Sequence, residues 1–193
     1  MDAMRGGALA IEVGPRRGYF VLIHWINAIL LLMVALSGEY FRWSQGAPSM
    51  VAYPIMVLHV AAGMAGFALI VPRILARRRV AKPVASGKFD IGRYFACAVY
   101  IVIYIFMIAQ PLIGWAIVNA KGMAIPVPLL GYELPILVKQ DADLVRQLIR
   151  VHVALACIFY GLLTIHVSAA LWHHFVKRDN TLRNMMSVIG SRG

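Results

Sequence analysis

The chain has 193 residues, of which 61% are hydrophobic and 14% are charged, and its mean hydropathy is +0.75. Soluble globular domains are far less apolar, so the composition excludes that class and indicates a membrane protein. A chain of this length has room for one compact helical bundle. We therefore expect residues 1–193 to form a single transmembrane domain, with no separate soluble catalytic domain.

Four apolar segments are long enough to cross about 30 Å of hydrocarbon as helices, which takes roughly 20 residues each. In chain order they cover residues 19–36, 51–71, 94–118 and 148–172. The sequence therefore predicts an all-α membrane protein that folds as a four-transmembrane-helix bundle.

Lysine and arginine are divided unevenly between the connections, which indicates the orientation of the bundle. One side, made of both termini and the link between the second and third segments, holds Arg5, Arg16, Arg17, Arg73, Arg77, Arg78, Arg79, Lys82, Lys88, Arg93, Lys177, Arg178, Arg183 and Arg192. The other side holds Arg42, Lys121, Lys139, Arg146 and Arg150. The positive-inside rule predicts that both termini are cytoplasmic. The net charge of +11 then reflects topology and contact with membrane lipid, and we expect no nucleic acid partner.

The longest connection and the two cysteines complete the organisation of the chain. Residues 119–147 contain three prolines followed by a polar run at 139–143, which predicts an ordered loop with a short helix near Asp141. Cys97 and Cys157 lie at different depths in their helices, so a disulfide between them is excluded. We interpret both cysteines as small buried hydrophobic residues.

Four of the six histidines lie inside the apolar segments: His24, His59, His152 and His166. An ionisable side chain is costly in hydrocarbon and usually faces a bundle interior, where it has a functional partner. Counting along the helices puts His24 and His166 at one depth, toward the cytoplasm. The same count puts His59 and His152 at a second depth, toward the opposite side.

The spacing on the fourth segment is the most specific signal. His152 and His166 are separated by fourteen residues, a rotation of about 1400° that ends about 40° short of four full turns, so both point to nearly the same face. Their separation along the axis is roughly 21 Å. The pattern predicts two haems stacked across the bilayer, with iron held by the pairs His24/His166 and His59/His152. No catalytic residue is assigned.

Each histidine also has a simpler interpretation. A single intramembrane histidine can hydrogen-bond a backbone carbonyl or act in a proton relay. Zinc or copper is a further alternative, but such a site brings its ligands to one depth, often with cysteine or carboxylate. Here the histidines divide into two levels, and the four spanning segments contain no acidic residue.

Small residues offer openings for a flat macrocycle. Gly63 and Gly66 follow His59 on its own helix face, and Gly114 and Gly161 offer similar openings elsewhere. The alternative is ordinary packing of small residues between membrane helices. The adjacent Gln110-Pro111 pair predicts a kink in the third helix.

With these histidines in place, the chain resembles the bacterial cytochrome b561 family of small four-helix, di-haem membrane proteins. The resemblance covers almost all of residues 19–186. It depends on Ile23-His24-Trp25, Leu58-His59-Val60 with Gly63, Val71-Pro72-Arg73, Gln110-Pro111-Leu112-Ile113-Gly114, Arg150-Val151-His152, Ile165-His166-Val167, His173-His174-Phe175 and Lys177-Arg178-Asp179-Asn180-Thr181-Leu182.

The resemblance implies a b-type cytochrome with two haem b groups in the bacterial inner membrane, with the four helix histidines as axial ligands. It implies electron transfer to ubiquinone near the cytoplasmic side from a periplasmic donor. One member of the family is similar to a superoxide oxidase, which would make this chain a membrane oxidoreductase of the superoxide:ubiquinone type.

Charged and titratable residues near the two levels supply candidate sites for the substrates. His173 and His174 are the candidates for the quinone site, because quinone reduction needs proton donors near the cytoplasmic end of the last helix. An interfacial position for His173 among lipid head groups is the alternative. Cations of the opposite loops would steer a small anion such as superoxide. Arg16, Arg17, Arg73 and Arg93 are candidates for contact with haem propionates or with lipid.

Two functions of different classes remain open from the sequence. The first is a self-contained oxidoreductase that takes electrons from superoxide. The second is a haem-carrying anchor subunit that receives electrons from a separate periplasmic dehydrogenase. A third, non-redox hypothesis, a histidine-lined proton or metal transporter, predicts a colourless protein.

Overall fold

A computed structural model describes residues 15–44, 49–80, 91–127 and 131–186. Its elements are α1 (Pro15–Trp43), α2 (Ser49–Ala68), α3 (Ile70–Val80), α4 (Ile91–Ala120), β1 (Pro126–Val127), β2 (Tyr132–Glu133), α5 (Ala142–Phe175) and α6 (Thr181–Met186). Within these ranges, four spans are long and apolar enough to cross a membrane: Gly18–Trp43, Met50–Arg78, Tyr94–Ala120 and Ala142–Phe175. The predicted all-α, four-helix membrane protein is confirmed, and the cytoplasmic position of both termini stays a prediction.

The fourth membrane helix begins earlier than its apolar segment. Asp141 caps α5, because its side chain accepts hydrogen bonds from the backbone N–H groups of Asp143 at 2.8 Å and Leu144 at 3.1 Å. Asp143, in the first turn, adds a negative charge where the helix dipole favours one. The prediction of a separate short helix near Asp141 was therefore wrong, since those residues are the first turns of α5.

The second crossing is interrupted at Leu69, between α2 and α3. In an uninterrupted helix, the carbonyl of Ala68 would accept from the backbone N–H of residue 72, but Pro72 has no N–H to donate. The helix therefore restarts at Ile70, where a proline in the first turn costs little because N–H groups there have no intrahelical partner. This restart places Arg73 and Arg77 on a helix instead of in a loop.

The long helices pack side by side in the order α1, α2, α4 and α5. Helix α1 lies against α2 and α3, α2 lies against α4, and α4 lies against α5. A buried hydrophobic cluster consists of Ile70, Ile103, Met107 and Phe159. Within it, the Phe159 ring stacks on Phe106 with 5.5 Å between centroids and 3° between planes. Phe159 lies seven residues from each histidine of α5, so this cluster fills the bundle between the two histidine levels.

Both cysteines differ from expectation. Cys97 and Cys157 are free and exposed, so their interpretation as buried residues was wrong. A membrane-spanning helix presents apolar side chains to lipid as well as to its neighbours, and apolar character therefore does not identify the buried face. Many large hydrophobic side chains, such as Phe95, Ile105 and Ile158, are exposed on the bundle in the same way.

Two short elements lie outside the membrane-spanning helices, a two-stranded hairpin and helix α6. Strands β1 and β2 pair antiparallel, with Pro126 opposite Glu133, inside the long connection between α4 and α5. At the other end, α6 folds back onto α1, where the Trp25 indole N–H donates to the carbonyl of Met185 at 2.7 Å.

Candidate metal centres

The first of two histidine pairs joins α1 to α5. His24 of α1 and His166 of α5 have ring centroids 6.5 Å apart and an angle of 60° between ring planes. Both side chains are half-buried. The His24 ring also contacts Trp25 edge-on, and the His166 ring contacts Tyr100 of α4 at 6.0 Å.

The second pair joins α2 to α5. His59 of α2 and His152 of α5 have ring centroids 6.2 Å apart and an angle of 68° between ring planes. The Phe41 ring borders this pair at 6.4 Å from His59. The structure therefore brings together the two pairs that were predicted, and α5 supplies one histidine to each.

The separations suit a metal ion held between two opposed imidazoles. A first-row metal lies about 2 Å from an imidazole nitrogen, and the ring centroid lies about 1 Å beyond it, so two opposed rings place their centroids about 6 Å apart. No group of three or more His, Cys, Asp or Glu side chains converges on one point in the described residues. A zinc-type site takes three or four protein ligands, whereas a haem iron needs only two.

Hydrogen bonds fix the proton on His59. Its Nδ1 lies 3.1 Å from the carbonyl oxygen of Val34 and 3.0 Å from the Ser37 hydroxyl. That hydroxyl donates in turn to the Met33 carbonyl at 2.6 Å. A carbonyl only accepts, so Nδ1 carries the proton and Nε2 keeps its lone pair for a metal.

Glycines border both imidazoles of the His59–His152 pair. A Cβ at Gly38 would lie 3.4 Å from Cε1 of His59, and one at Gly114 would lie 3.6 Å from Cε1 of His152. The openings expected at Gly63, Gly66 and Gly161 do not border a histidine: Gly63 meets Val34, Gly66 meets Asn27, and Gly161 has no atom within 4 Å. Gly38 was missed because it lies after the end of the predicted first span.

Gln110 of α4 also touches this pair. Its Nε2 donates to the backbone carbonyl of His152 at 3.1 Å, while its Oε1 is buried with no partner in the described residues. The Nδ1 atom of His152 is likewise buried without a partner there. Gln110 and Gly114 are one helical turn apart, so the same face of α4 meets both the backbone and the ring of His152.

The His24–His166 pair has a different neighbour. Arg73 of α3 places Nη2 at 3.0 Å from Nδ1 of His24 and its guanidinium carbon at 5.6 Å from the Tyr104 ring centroid. Of the four arginines suggested for propionates or lipid, Arg73 therefore lies at a histidine pair. The side chains of Arg16, Arg17 and Arg93 lie outside the described residues.

The two quinone candidates lie at the end of α5 that carries the His24–His166 pair. His173 Nδ1 lies 2.5 Å from the Asp179 carboxylate, whose other oxygen accepts from the Thr181 N–H at 2.8 Å. The hydrogen bonds from His173 and Thr181 hold the pKa of Asp179 well below its usual range. The His174 ring packs on Phe175 at 4.8 Å. Asp179 was not predicted as a partner because a turn, not helical periodicity, brings it back to His173.

Known proteins match this chain over nearly its whole length. The model of the prokaryotic cytochrome b561 family matches residues 17–187. A Yersinia pestis protein named probable superoxide oxidase CybB is 31% identical over 172 residues, which cover 85% of this chain and 91% of that protein. An Escherichia coli (strain K12) protein named cytochrome b561 homolog 1 is 27% identical over 168 residues, which cover 86% and 93%. The chain belongs to the prokaryotic cytochrome b561 family of multi-pass bacterial inner-membrane proteins, which bind haem b and transfer electrons across the membrane.

Proposed function

We propose that this protein binds two haem b groups and moves electrons from superoxide on the periplasmic side to ubiquinone near the cytoplasmic side. In this proposal His24 and His166 are the axial ligands of one haem, and His59 and His152 are the ligands of the other. The observation that carries the proposal is the presence of two opposed imidazole pairs, 6.5 Å and 6.2 Å apart, at two levels of α5.

The side chains around the pairs are compatible with such a group. A porphyrin supplies four nitrogens to iron and leaves two opposed positions, which matches a pair of imidazoles with no third protein ligand. The proton on His59 Nδ1 leaves Nε2 free, and the absence of a Cβ at Gly38 and Gly114 keeps space beside the rings. When bound, a haem with two imidazole ligands supplies a one-electron carrier with no open position for oxygen.

The donor side of the proposal involves a small anion. Five cations were expected to steer it, but Arg42 pairs with Glu39 at 2.9 Å and Arg146 pairs with Asp143. These contacts reduce the local field. Lys121, Lys139 and Arg150 are exposed and belong to none of the ion pairs found among the described residues. They are the cations that can attract superoxide, an effect that weakens as salt increases.

The acceptor side involves proton delivery. Two superoxide ions release two electrons and become two molecules of oxygen, and ubiquinone takes those electrons with two protons to become ubiquinol. His173 is suited to donate a proton in its imidazolium form, in which the Asp179 carboxylate accepts from Nδ1–H and the Nε2–H is left for a substrate. Asp179 acts as a positioning residue in this scheme, and His174 is a second candidate donor.

The test uses the purified full-length chain in lipid nanodiscs. We expect a pulse of superoxide to reduce the haem absorption bands, and added short-chain ubiquinone to reoxidise them. Superoxide dismutase added before the pulse should abolish the reduction, and hydrogen peroxide should not replace superoxide. If superoxide fails to reduce the bands unless a periplasmic dehydrogenase is added, the chain is an anchor subunit and the superoxide part of the proposal is wrong. A colourless, haem-free preparation that binds no added haem would contradict the ligand assignment itself.

A further inference from the structure

Two arginines of α3 face the His24–His166 pair. Arg73 and Arg77 are one helical turn apart and therefore share a face of the helix. The Arg77 guanidinium carbon lies 4.2 Å from the centroid of the Tyr100 ring, and that ring lies 6.0 Å from the His166 ring. Arg73 contacts both His24 and Tyr104. Two positive charges are thus held beside one histidine pair, inside a membrane-spanning segment.

These charges lack a carboxylate partner in the described residues, where none of the ion pairs includes Arg73 or Arg77. The Nε atom of Arg73 is buried and has no hydrogen-bond partner there. The acidic residues that are described lie elsewhere: Glu39 and Asp143 pair with arginines, Asp179 pairs with His173, and Glu133 and Asp141 belong to the connection between α4 and α5. An arginine inside the membrane is costly and is usually paired, so this position favours an anionic ligand.

The contact between Arg73 and His24 requires a particular proton arrangement. A guanidinium has only N–H donors, so His24 Nδ1 must accept from Arg73, and Nε2 of the neutral ring then carries the proton. A nitrogen that binds iron carries no proton. If Nε2 of His24 binds iron, the ring proton must be on Nδ1, which then cannot accept from Arg73. If Nδ1 binds iron instead, its lone pair is used for the metal and is not available to Arg73. In either case Arg73 loses His24 as an acceptor and needs another.

We infer that Arg73 and Arg77 form a carboxylate-binding subsite for the propionates of the haem held by His24 and His166, and that Arg73 changes partner from His24 to a propionate when that haem binds. This inference depends on the proposed ligand assignment. Arginine suits the role because its planar fork donates two parallel hydrogen bonds to a carboxylate. Two guanidinium charges beside the iron also favour its less positive, reduced state and raise the potential of this haem. The same fork could hold the phosphate of an anionic lipid, and the test must separate these two sources.

The test compares Arg73→Gln and Arg77→Gln with a matched control, Arg78→Gln. Arg78 is exposed and adjacent on the same helix, so its replacement makes the same change of charge without touching the pair. All variants are made in a His152→Ala background, so that the single remaining haem is the one in question. The readouts are its midpoint potential by spectroelectrochemical titration and its rate of transfer to apomyoglobin.

We expect Arg73→Gln and Arg77→Gln to lower the midpoint potential and to speed haem loss about tenfold or more, the factor for a lost charge-assisted hydrogen bond. Arg78→Gln should change neither quantity. An unchanged potential and loss rate in both Arg73→Gln and Arg77→Gln would overturn the inference. If Arg73→Gln does not fold, Arg77→Gln decides alone, because its half-buried side chain contacts a ring and not a histidine.

Lipid composition separates the two anion sources. The measurements are repeated in nanodiscs of zwitterionic phosphatidylcholine and in nanodiscs that also contain phosphatidylglycerol. Propionate binding predicts the same effect of Arg73→Gln in both, whereas an effect confined to phosphatidylglycerol would mean that the arginines hold a lipid phosphate and would overturn the inference.

Asp90→Asn tests the nearest acidic residue in sequence on that side, which lies outside the described residues. It should leave the potential unchanged, and a rise in potential would identify Asp90 as the partner of the arginines instead. Failure of His24→Ala to remove this haem would contradict the proposed function, whereas failure of the arginine variants alone would contradict only this inference.

Discussion

The two histidine pairs have similar spacing but different surroundings. In the His59–His152 pair, the Val34 carbonyl accepts from Nδ1 of His59 and so leaves Nε2 its lone pair, and the Arg42 charge is matched by Glu39. In the His24–His166 pair, the Arg73 guanidinium hydrogen-bonds Nδ1 of His24. No carboxylate pairs with this guanidinium in the described residues. Iron at His59 Nε2 is compatible with the Val34 contact at Nδ1, whereas iron at His24 requires another acceptor for Arg73. We infer that charge, not ligand type, distinguishes the two sites.

Replacement of one histidine ligand should have the largest effect, because it should remove one haem and leave the other. We expect His152→Ala to lose the haem of its own pair and keep the other, and His166→Ala to do the reverse, because each iron would lose one of only two protein ligands. Pyridine haemochrome counting per chain measures the loss. His174→Ala is the control and should retain both haems. Two haems per chain after either ligand replacement would show that the pairing is wrong.

Crowding beside one ring should affect only that site. A leucine at Gly38 would press on His59, because even a Cβ would lie 3.4 Å from the ring. Overpacking costs about 1–3 kcal/mol, which weakens haem binding at the His59–His152 pair by roughly 5- to 150-fold. Haem titration of the apoprotein measures this affinity. Gly161→Leu is the matched control, since a Cβ there meets no atom within 4 Å. Equal losses at both pairs would contradict the local explanation.

A cavity between the two pairs should weaken them together. Phe159 is 6% exposed and stacks on Phe106 midway between the histidines of α5. We expect Phe159→Ala to destabilise the bundle by about 3–5 kcal/mol, the usual range for a large buried ring, with both haem spectra lost at the same lower temperature. Thermal unfolding followed at the haem bands measures this. Phe95→Ala, in which the ring is 64% exposed, should change little. Loss of one haem long before the other would argue against a shared core.

The smallest effect should come from Asp179, in the turn between α5 and α6. The pKa of Asp179 is lowered by hydrogen bonds from His173 and Thr181, so its contribution to stability is complete above its ordinary value of about 3.9 and is lost as the pH falls through the lowered value. We therefore expect the Asp179 carboxylate to stay ionised, and to keep accepting from the Thr181 N–H, at every pH above about 4. Hydrogen exchange of the α6 amides measures docking. Asp179→Asn should raise exchange across this range, and Asp143→Asn should not.

The fold and the pairs were largely predictable because both depend on local periodicity. Long apolar segments must become helices in a bilayer, since each backbone polar group needs an internal partner there. A spacing of fourteen residues on one helix fixes which histidines share a face. The polar residues at the helix ends were harder to assign. Asp141 extends α5 because its side chain caps two backbone N–H groups, and α3 restarts because Pro72 lacks a backbone N–H. Both effects depend on a few local groups and not on periodicity.

The sequence by itself determined the class of protein, the four spans and the two levels of histidine, because hydrophobic length and helical rotation are properties of each segment alone. The tertiary structure decided which neighbours act on each imidazole. Val34 and Ser37 reach His59 across a helix interface, Arg73 reaches His24 only because α3 continues past Pro72, and Asp179 returns to His173 through a turn. Such contacts depend on helix packing and chain reversal, which no periodicity within one segment encodes.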